Sequence, residues 1–477
     1  MKKSILARIV LFVLALAMMT SLAACVGFGG NVPTELTEAT QPTEPEVPRI
    51  NGVPLSQYSV VYCEKDHDYS KRAAQYIQAE ISARTGLELP IVEDCAEQAS
   101  DYEIVVGETT RAISSRLTPP TKSTQFAILA EDTQIAMEGE YFVVAAAAYF
   151  FIETYVPTDN FSAEIPKEVS IHAPIVDKPE NFIMLIGDGM GVNQTLLFDV
   201  LENNIDYSDG EGIFYGYYLP YLGYSRTDSL SGTTDSAAGG TALSSGYKTI
   251  NGYVGQDKNH NAIPSLTEQA GYIGMATAVM STEVQTGATP ASFSTHADSR
   301  NDTGMILGGQ KLLTKTYGTI INCDFNHYDA SGVAAIQKNF NSTLNKLAKK
   351  ETGFFLMYEE AHIDKHCHNN DLAMTFRAVV RFNQVIATCM EYAFYNPDTF
   401  VLITADHETG GLTAKEGTFV YTSTNHTSAD VPVFAYGVGA ELFNDITVEN
   451  IQIPQTIASF MGKDDFGDQS TYQSLAK

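Results

Sequence analysis

The chain has 477 residues, with 57 acidic against 29 basic side chains and a formal net charge of −28. Because a surface of that sign repels polyanions, the composition excludes a nucleic-acid-binding protein. It would also repel an anionic substrate unless cations are held locally. The length beyond the N-terminal segments is enough for two domains.

Residues 1–24 are predicted to be an export signal that the mature protein lacks. Three basic residues, the last of them Arg8, flank an almost wholly apolar run over residues 9–19. The segment ends in Leu-Ala-Ala before Cys25 and resembles a bacterial lipoprotein signal, in which the cysteine is lipidated. We therefore expect an exported protein anchored by lipid to the extracytoplasmic face of the bacterial cell membrane. A plain secretory signal with a chance cysteine is the alternative.

Residues 25–50 are predicted to form a linker. This segment is acidic and rich in Pro and Thr, and it has few large apolar side chains. Such a composition cannot bury a core, so we expect an extended tether that holds the folded part away from the membrane.

Residues 51–176 show alternating predicted strands and helices, a pattern typical of a small α/β domain, and we interpret this region as an accessory domain. The predicted elements are strands at 59–63 and 102–107, paired strands at 125–129 and 134–137, and helices at 68–85 and 142–156. The stretches GVPLSQYSVVY, YEIVVGETTR and YFVVAAAAYFFIETYV resemble the accessory domain that precedes the catalytic domain in some bacterial secreted glycosidases. No catalytic set is recognisable, which leaves a spacer role and a glycan-binding role open.

The remaining cysteines do not define a disulfide framework. Cys63 and Cys95 fall in the accessory region and could pair in an oxidising exterior. Cys323, Cys367 and Cys389 are an odd set, so we expect at least one free thiol among them.

Residues 179–477 contain apolar strands that end in potential metal ligands. The predicted strands lie at 181–187, 274–280, 353–358, 400–404 and 431–436, with a long packing helix at 372–395. The carboxyl ends of such strands form the ligand-binding edge of an α/β sheet. The potential ligands near these ends are Asp188, Glu359, Asp364, His368, Asp406, His407 and His426. Each could be an ordinary polar residue, but oxygen and imidazole together suit zinc and a harder cation such as magnesium.

Residues 233–242 (TTDSAAGGTA) are predicted to be a loop that turns into a helix. Asp235 and Ser236 are favourable N-caps, and the alanines behind them propagate a helix. A serine at this position lies near the positive end of the helix dipole, where an alkoxide or a bound anion is stabilised. Alone, the stretch could equally be a capped packing helix. Further along, Arg300 offers a planar fork for phosphate, although alone it could be a surface ion-pair residue.

Six motifs together resemble the alkaline phosphatase family across residues 181–462. They are IGDGMG, TDSAAGGTA, ATPASFSTHADSR, EEAHIDKHCH, TADHETGG and NHTSADVPV. The resemblance implies a three-layer α/β/α sandwich with a central, mostly parallel sheet. It also implies a zinc-dependent enzyme that hydrolyses phosphate monoesters through a phosphoseryl intermediate.

The resemblance implies a role for each site residue. Ser236 would be the nucleophile, Arg300 would bind two phosphate oxygens, and Asp235 would orient that guanidinium. The implied ligands are Asp364, His368 and His426 for one Zn²⁺, Asp406, His407, Asp188 and the Ser236 oxygen for a second Zn²⁺, and Asp188, Thr289 and Glu359 for one Mg²⁺.

The sequence departs from the family pattern in two places. Gly287 stands where the family usually has Asp or His near the third cation, so the usual partner of Lys365 would be missing. This departure weakens the magnesium prediction and not the zinc prediction. The stretch from Thr289 to Glu359 is short, which indicates a reduced crown insertion and leaves the oligomeric state open.

Two other functions compete with the phosphomonoesterase. The same fold and metals could act on phosphodiesters, phosphonates or sulfate esters, or a vestigial phosphatase domain could serve a cell-surface binding lipoprotein. Arg300 argues against a phosphodiesterase, because a guanidinium that binds two non-bridging oxygens suits a terminal phosphoryl group. Sulfatases of related fold carry Cys-or-Ser-x-Pro-x-Arg, whereas Ser236 is followed by Ala-Ala-Gly-Gly. The complete zinc ligand set opposes the binding lipoprotein.

Overall fold

Two principal β-sheets organise the chain in the computed structural model. The structure describes residues 47–63, 68–94, 99–117, 126–139, 143–156, 161–165, 170–172, 178–198, 214–325, 330–415 and 418–476. The predicted signal, Cys25, the tether up to residue 46 and Cys95 lie outside these residues. The lipid anchor therefore stays a prediction. Cys63 is a buried free thiol, which contradicts the pairing of Cys63 with Cys95 that the sequence allowed. Cys323, Cys367 and Cys389 are all free thiols, as expected for at least one of them.

The first sheet belongs to the predicted accessory region. The strands of this region are β1 (Arg49–Ile50), β2 (Val53–Pro54), β3 (Ser59–Tyr62), β4 (Ile91–Glu93), β5 (Glu103–Val106), β6 (Phe126–Glu131), β7 (Gln134–Gly139), β8 (Ser162–Ala163) and β9 (Ser170–His172). Six of them form a sheet in the order β4-β3-β5-β7-β6-β9, with a parallel half around β3 and β5 and the predicted antiparallel pair β6–β7.

Two helices pack on this sheet and on each other, α1 (Asp68–Thr85) and α2 (Val143–Tyr155). In α1 the side chains of Ala73, Ile77 and Ile81 are fully buried at four-residue spacing, which is one face of a helix. Both helices lie where the sequence pattern predicts them.

The second sheet has eight strands and is mostly parallel, as expected. Its region contains β10 (Asn181–Gly187), β11 (Tyr221–Arg226), β12 (Ala276–Ser281), β13 (Ile320–Asn322), β14 (Phe354–Glu360), β15 (Thr399–Thr404), β16 (Glu408–Thr409), β17 (Thr413–Lys415), β18 (Thr418–Val420), β19 (His426–Thr427), β20 (Val431–Tyr436) and β21 (Thr447–Glu449). The order is β13-β12-β14-β10-β15-β20-β11-β21, and only β20 runs antiparallel to its neighbours.

Helices cover both faces of this sheet. The helices of the region are α3 (Val192–Thr195), α4 (Ser236–Ser245), α5 (Leu266–Tyr272), α6 (Ala288–Ser292), α7 (Thr303–Tyr317), α8 (Ala330–Leu347), α9 (His362–His368), α10 (Leu372–Tyr395) and α11 (Gln452–Phe460). Along β10, Ile183 and Leu185 join the core under α8 and α10, while Phe182, Met184 and Ile186 join the core under α4, α5 and α11. Since successive strand residues point to opposite faces, this alternation defines the three-layer α/β/α sandwich.

The two sheet regions pack together into one compact unit from residue 47 onward. Because residues 47–477 are not divided further, the structure does not test the domain boundary predicted between residues 176 and 179, which stays a prediction. Among the helices that the structure describes, none combines the length and the apolarity needed to cross a membrane.

Candidate active site

The predicted site residues meet at the carboxyl edge of the eight-stranded sheet. In the parallel register, Ile186 of β10 lies between Glu359 of β14 and Thr404 of β15, so the three central strands end level with one another. Asp188 follows β10 directly, and Asp406 follows β15 after one residue. The carboxylates thus come together because parallel strands end at the same edge.

Ser236 is the first residue of α4 and is buried beside this edge. Asp235 is the N-cap, and its Oδ1 accepts hydrogen bonds from the N–H groups of Ala238 at 3.0 Å and of Gly252 at 3.1 Å. The helix lies close to the strand end, since a Cβ on Gly239 would be 3.0 Å from the backbone oxygen of Asp406. The small residues of the motif therefore allow Ser236 to reach the carboxylates.

Arg300 is held next to Ser236 by the same capping carboxylate. Its guanidinium donates to Asp235 Oδ2 at 3.1 Å, and its backbone N–H donates to Gly252 at 2.8 Å. Burial disfavours the charged form of Arg300, but the charge and hydrogen bond of Asp235 favour it more strongly. The pKa of the guanidinium is therefore raised. Asp235 thus caps the helix and fixes the cation, while part of the guanidinium stays exposed for an anion.

The first cluster of potential metal ligands consists of Asp364, His368 and His426. The Nδ1 atom of His368 donates to the carbonyl of Thr424 at 2.6 Å, and that of His426 to the carbonyl of Thr234 at 2.8 Å. These bonds turn both Nε2 atoms inward, 3.1 Å apart and 3.3 and 3.4 Å from Asp364 Oδ1. Imidazoles oriented by backbone carbonyls around a carboxylate suit zinc.

The pKa values of His368 and Asp364 are shifted because the two side chains interact with each other. The hydrogen bond to Asp364 raises the pKa of His368 to about 9. Burial disfavours the charge of Asp364, but hydrogen bonds from His368 and His426 hold its pKa well below the usual range. The raised pKa of His368 favours its protonated form when no cation is bound, and a metal ion that binds these nitrogens would displace the proton.

The second cluster consists of Asp188, Asp406 and His407, all buried. Asp188 Oδ1 and Asp406 Oδ2 lie 3.5 and 3.2 Å from His407 Nε2, and neither oxygen has a hydrogen-bond partner. Burial, and then repulsion from Asp406, raises the pKa of Asp188 well above its usual value. Two buried carboxylate oxygens without donors are costly unless a cation lies between them, so the donor set fits a metal.

Thr409 links the two clusters, a role that sequence reasoning missed. Its hydroxyl donates to Asp364 Oδ1 at 2.6 Å and therefore accepts from His407 Nδ1 at 3.2 Å. Burial lowers the pKa of His407, which leaves a neutral ring with its Nε2 lone pair toward Ser236 Oγ at 3.2 Å. The His407 ring also stacks on His426 with centroids 3.6 Å apart, so the clusters adjoin.

The residues predicted to bind a third cation together with Asp188 are Glu359 and Thr289, and the charge of Glu359 acts on Asp188. Glu359 and Thr289 are buried, and Glu359 Oε1 and Thr289 Oγ1 lack well-formed hydrogen bonds. Ser281 donates to the other oxygen of Glu359. Burial, and then the charge of Glu283, raises the pKa of Glu359 to about 8. Oxygen donors of this kind fit magnesium.

The usual partner of Lys365 is missing at Gly287, as the sequence indicates, but the lysine has another partner. Its ammonium donates to Glu283 Oε1 at 2.7 Å, although the two residues are far apart in sequence. Glu283 was not among the predicted site residues. It follows β12 after one residue, as Asp406 follows β15, so the rule that selected Asp406 would also have selected Glu283.

The fold and the site together define a three-layer α/β/α protein with two adjoining clusters of potential metal ligands beside a serine at the start of a helix. The family model for alkaline phosphatase matches residues 179–322 and 327–424. The chain therefore belongs to the alkaline phosphatase family.

Curated relatives and a solved structure agree with this assignment. Alkaline phosphatase 4 of Bacillus subtilis is 29% identical over 306 residues, 53% of this chain and 66% of the relative. Alkaline phosphatase 3 of the same organism is 29% identical over 289 residues, 49% of this chain and 62% of the relative. The chain thus spans less than two thirds of either relative. A cold-active alkaline phosphatase from Shewanella shares the fold, with a TM-score of 0.52, 23% identity, and 59% and 99% of the two chains covered.

Proposed function

We propose that this chain is a zinc-dependent phosphomonoesterase that forms a phosphoseryl intermediate on Ser236. The observation that carries the proposal is the convergence on one hydroxyl: Ser236 Oγ lies 3.2 Å from His407, and the preceding Asp235 holds Arg300. Membership of the alkaline phosphatase family supports it.

The chain's own residues account for binding and attack. Arg300 binds two non-bridging oxygens of the phosphoryl group, while Asp235 keeps the guanidinium in position. Ser236 Oγ forms a bond to phosphorus as the bond to the leaving alcohol breaks, and the alcohol takes up a proton. Water then forms a new bond to phosphorus as the bond from phosphorus to Ser236 Oγ breaks. A proton lost by the water restores the Ser236 hydroxyl, and inorganic phosphate leaves.

Metal ions would supply the charge that this chemistry needs. Zn²⁺ at the two clusters, and Mg²⁺ at Asp188, Thr289 and Glu359, would lower the pKa of the attacking hydroxyls and offset the net charge of −28. The unpartnered oxygens of Asp188, Asp406 and Glu359 support this assignment.

A comparison of two substrates tests the proposal. We expect p-nitrophenyl phosphate to be hydrolysed much faster than bis-p-nitrophenyl phosphate, because Arg300 suits a terminal phosphoryl group. Chelation should abolish turnover, and added Zn²⁺ should restore it. Faster hydrolysis of the diester would identify a phosphodiesterase instead. Activity that persists after complete metal removal would overturn the metal-dependent mechanism.

We also propose, from the sequence of residues 1–25, that the protein is exported and anchored through a lipid on Cys25. A full-length chain expressed in a bacterium should partition into the detergent phase, because two or more acyl chains anchor stably. Cys25→Ser should move it to the aqueous phase, whereas the control Cys323→Ser should not. A Cys25→Ser protein that stays in the detergent phase after signal removal would contradict the anchor.

A further inference from the structure

The space beside Gly287 is filled by the carboxylate of Glu283. Gly287 is the N-cap of α6 and has a φ of −57°, so its backbone conformation does not require glycine. A Cβ on Gly287 would lie 2.6 Å from Glu283 Oε2 and 2.8 Å from Glu283 Cδ. The glycine therefore makes room for a carboxylate that arrives from another point of the backbone.

Several contacts fix Glu283 in this place. Oε1 accepts the hydrogen bond from Lys365 Nζ at 2.7 Å. The backbone N–H of Glu283 donates to Ser281 Oγ at 2.9 Å, and that hydroxyl donates to Glu359. The backbone carbonyl of Glu283 accepts from Asp324 at 2.6 Å. Glu283 is thus tied on one side to Lys365 and on the other, through Ser281, to a predicted ligand of the third cation.

Three buried oxygens belong to the residues that are predicted to bind the third cation. Asp188 Oδ1, Thr289 Oγ1 and Glu359 Oε1 are buried and have no well-formed hydrogen bond. The carboxylate of Glu283 adds a further negative charge that repels the buried carboxylates of Asp188 and Glu359. One lysine on the far side of Glu283 does not relieve this repulsion, whereas a divalent cation between the carboxylates would.

We propose that Glu283, held by Lys365, supplies the acidic group that Gly287 lacks and completes the third cation site as an outer carboxylate. The inference rests on the proposed function for the presence of Mg²⁺ at Asp188, Thr289 and Glu359. Glu283 Oε1 already accepts the hydrogen bond from Lys365, which leaves one carboxylate oxygen free and favours the outer position. Magnesium keeps several of its waters in proteins, and such waters need acceptors.

This assignment is tested by removing the carboxylate from position 283 and placing one at position 287 instead. Mg²⁺ binding to the zinc-loaded full-length chain is measured by equilibrium dialysis and metal analysis. Glu283→Ala should weaken Mg²⁺ binding by roughly ten- to a hundred-fold, as expected for loss of an outer partner. The double variant Glu283→Ala/Gly287→Asp should recover most of it. Glu351→Ala, an exposed glutamate, is the matched control and should bind Mg²⁺ like the wild type.

Zinc content and thermal midpoint, measured on every variant, show whether the chain is folded. If Glu283→Ala alone fails to fold, the double variant decides: recovered Mg²⁺ binding supports the proposal, and its absence overturns it. A Glu283→Ala chain that binds Mg²⁺ as tightly as Glu351→Ala also overturns it, as does a wild type that binds no Mg²⁺. If Mg²⁺ binding depends on Glu283 but the protein has no phosphatase activity, the proposed function is wrong and the proposed role of Glu283 in the cation site still holds.

Discussion

Replacement of Ser236 by alanine is expected to lower kcat/KM for p-nitrophenyl phosphate by about three orders of magnitude or more. Ser236 Oγ lies 3.2 Å from His407 Nε2, and the preceding residue, Asp235, holds the guanidinium of Arg300. The variant therefore removes the attacking atom and leaves the surrounding groups in place. The helix should persist, because the cap is made by Asp235 and alanine favours a helix. The metal content should remain near that of the wild type, since the histidine and carboxylate ligands are unchanged.

A second serine on the same helix provides the control. Ser245 is buried near the end of α4, and its hydroxyl donates only to the backbone of Thr241 at 2.7 Å. Ser245→Ala should keep near-wild-type kcat/KM, so a loss specific to Ser236 identifies the nucleophile. Rapid acid quenching with radiolabelled substrate should trap a phosphorylated wild type and an unlabelled Ser236→Ala. A Ser236→Ala chain with wild-type turnover would exclude the proposed nucleophile.

The central buried strands and the helices α1, α2 and α10 could be predicted from the sequence because their apolar patterns are clear. The helices α7 and α8 were not among the predicted elements. The strand Asn181–Gly187 and the helix Leu372–Tyr395 have the predicted bounds. The predicted and observed strand bounds differ where backbone geometry, or a partner distant in sequence, determines where the strand begins or ends. The strand predicted from residue 274 begins at Ala276, because Gly274 has a φ of +88° and belongs to the preceding turn.

β14 is longer than the apolar run that predicted it. The strand continues through Glu359 to Glu360, which apolar patterning alone would place beyond the strand. Glu360 is fully buried because Arg381 from α10 pairs with it, and this ion pair lowers the pKa of Glu360 to about 2 despite its burial. Successive residues then face opposite sides, so Glu359 is left for the site.

The site could be predicted as a set of residues and not as a set of contacts. Strand ends locate Asp188, Asp406 and His407 because all parallel strands deliver their carboxyl ends to one edge. Sequence position does not show that Thr409 bridges Asp364 and His407, since that bond depends on how β16 approaches α9. The same holds for Glu283, whose carboxylate reaches the neighbourhood of Gly287 through the fold.

The acidity of the site links metal binding to the stability of the fold. Asp188, Asp364, Asp406 and Glu359 are buried near one another in a chain that is already strongly negative. Burial of several carboxylates costs free energy unless cations or protons compensate them. Ligands that bind only the folded state stabilise it, so the metal ions are expected to contribute to folding as well as to chemistry.

Asp364 is the residue on which the first cluster depends most. Its Oδ1 is shared by His368 and His426 and also accepts from Thr409. Asp364→Ala should therefore reduce the zinc content from two ions to one per chain and lower kcat/KM by about three orders of magnitude or more, because paired metals act on the attacking and leaving oxygens together. Metal analysis of the purified variant, with phosphatase assays in excess Zn²⁺, measures both effects.

A nearby aspartate separates loss of the ligand from loss of structure. Asp371 is exposed and caps α10 through Met374 at 3.0 Å, and Asp371→Asn keeps an equally good cap. This control should retain both zinc ions and full activity. Retention of two tightly bound zinc ions by Asp364→Ala would show that the cluster is not a metal site. Loss of zinc with unchanged turnover would show that the first cluster takes no part in the reaction.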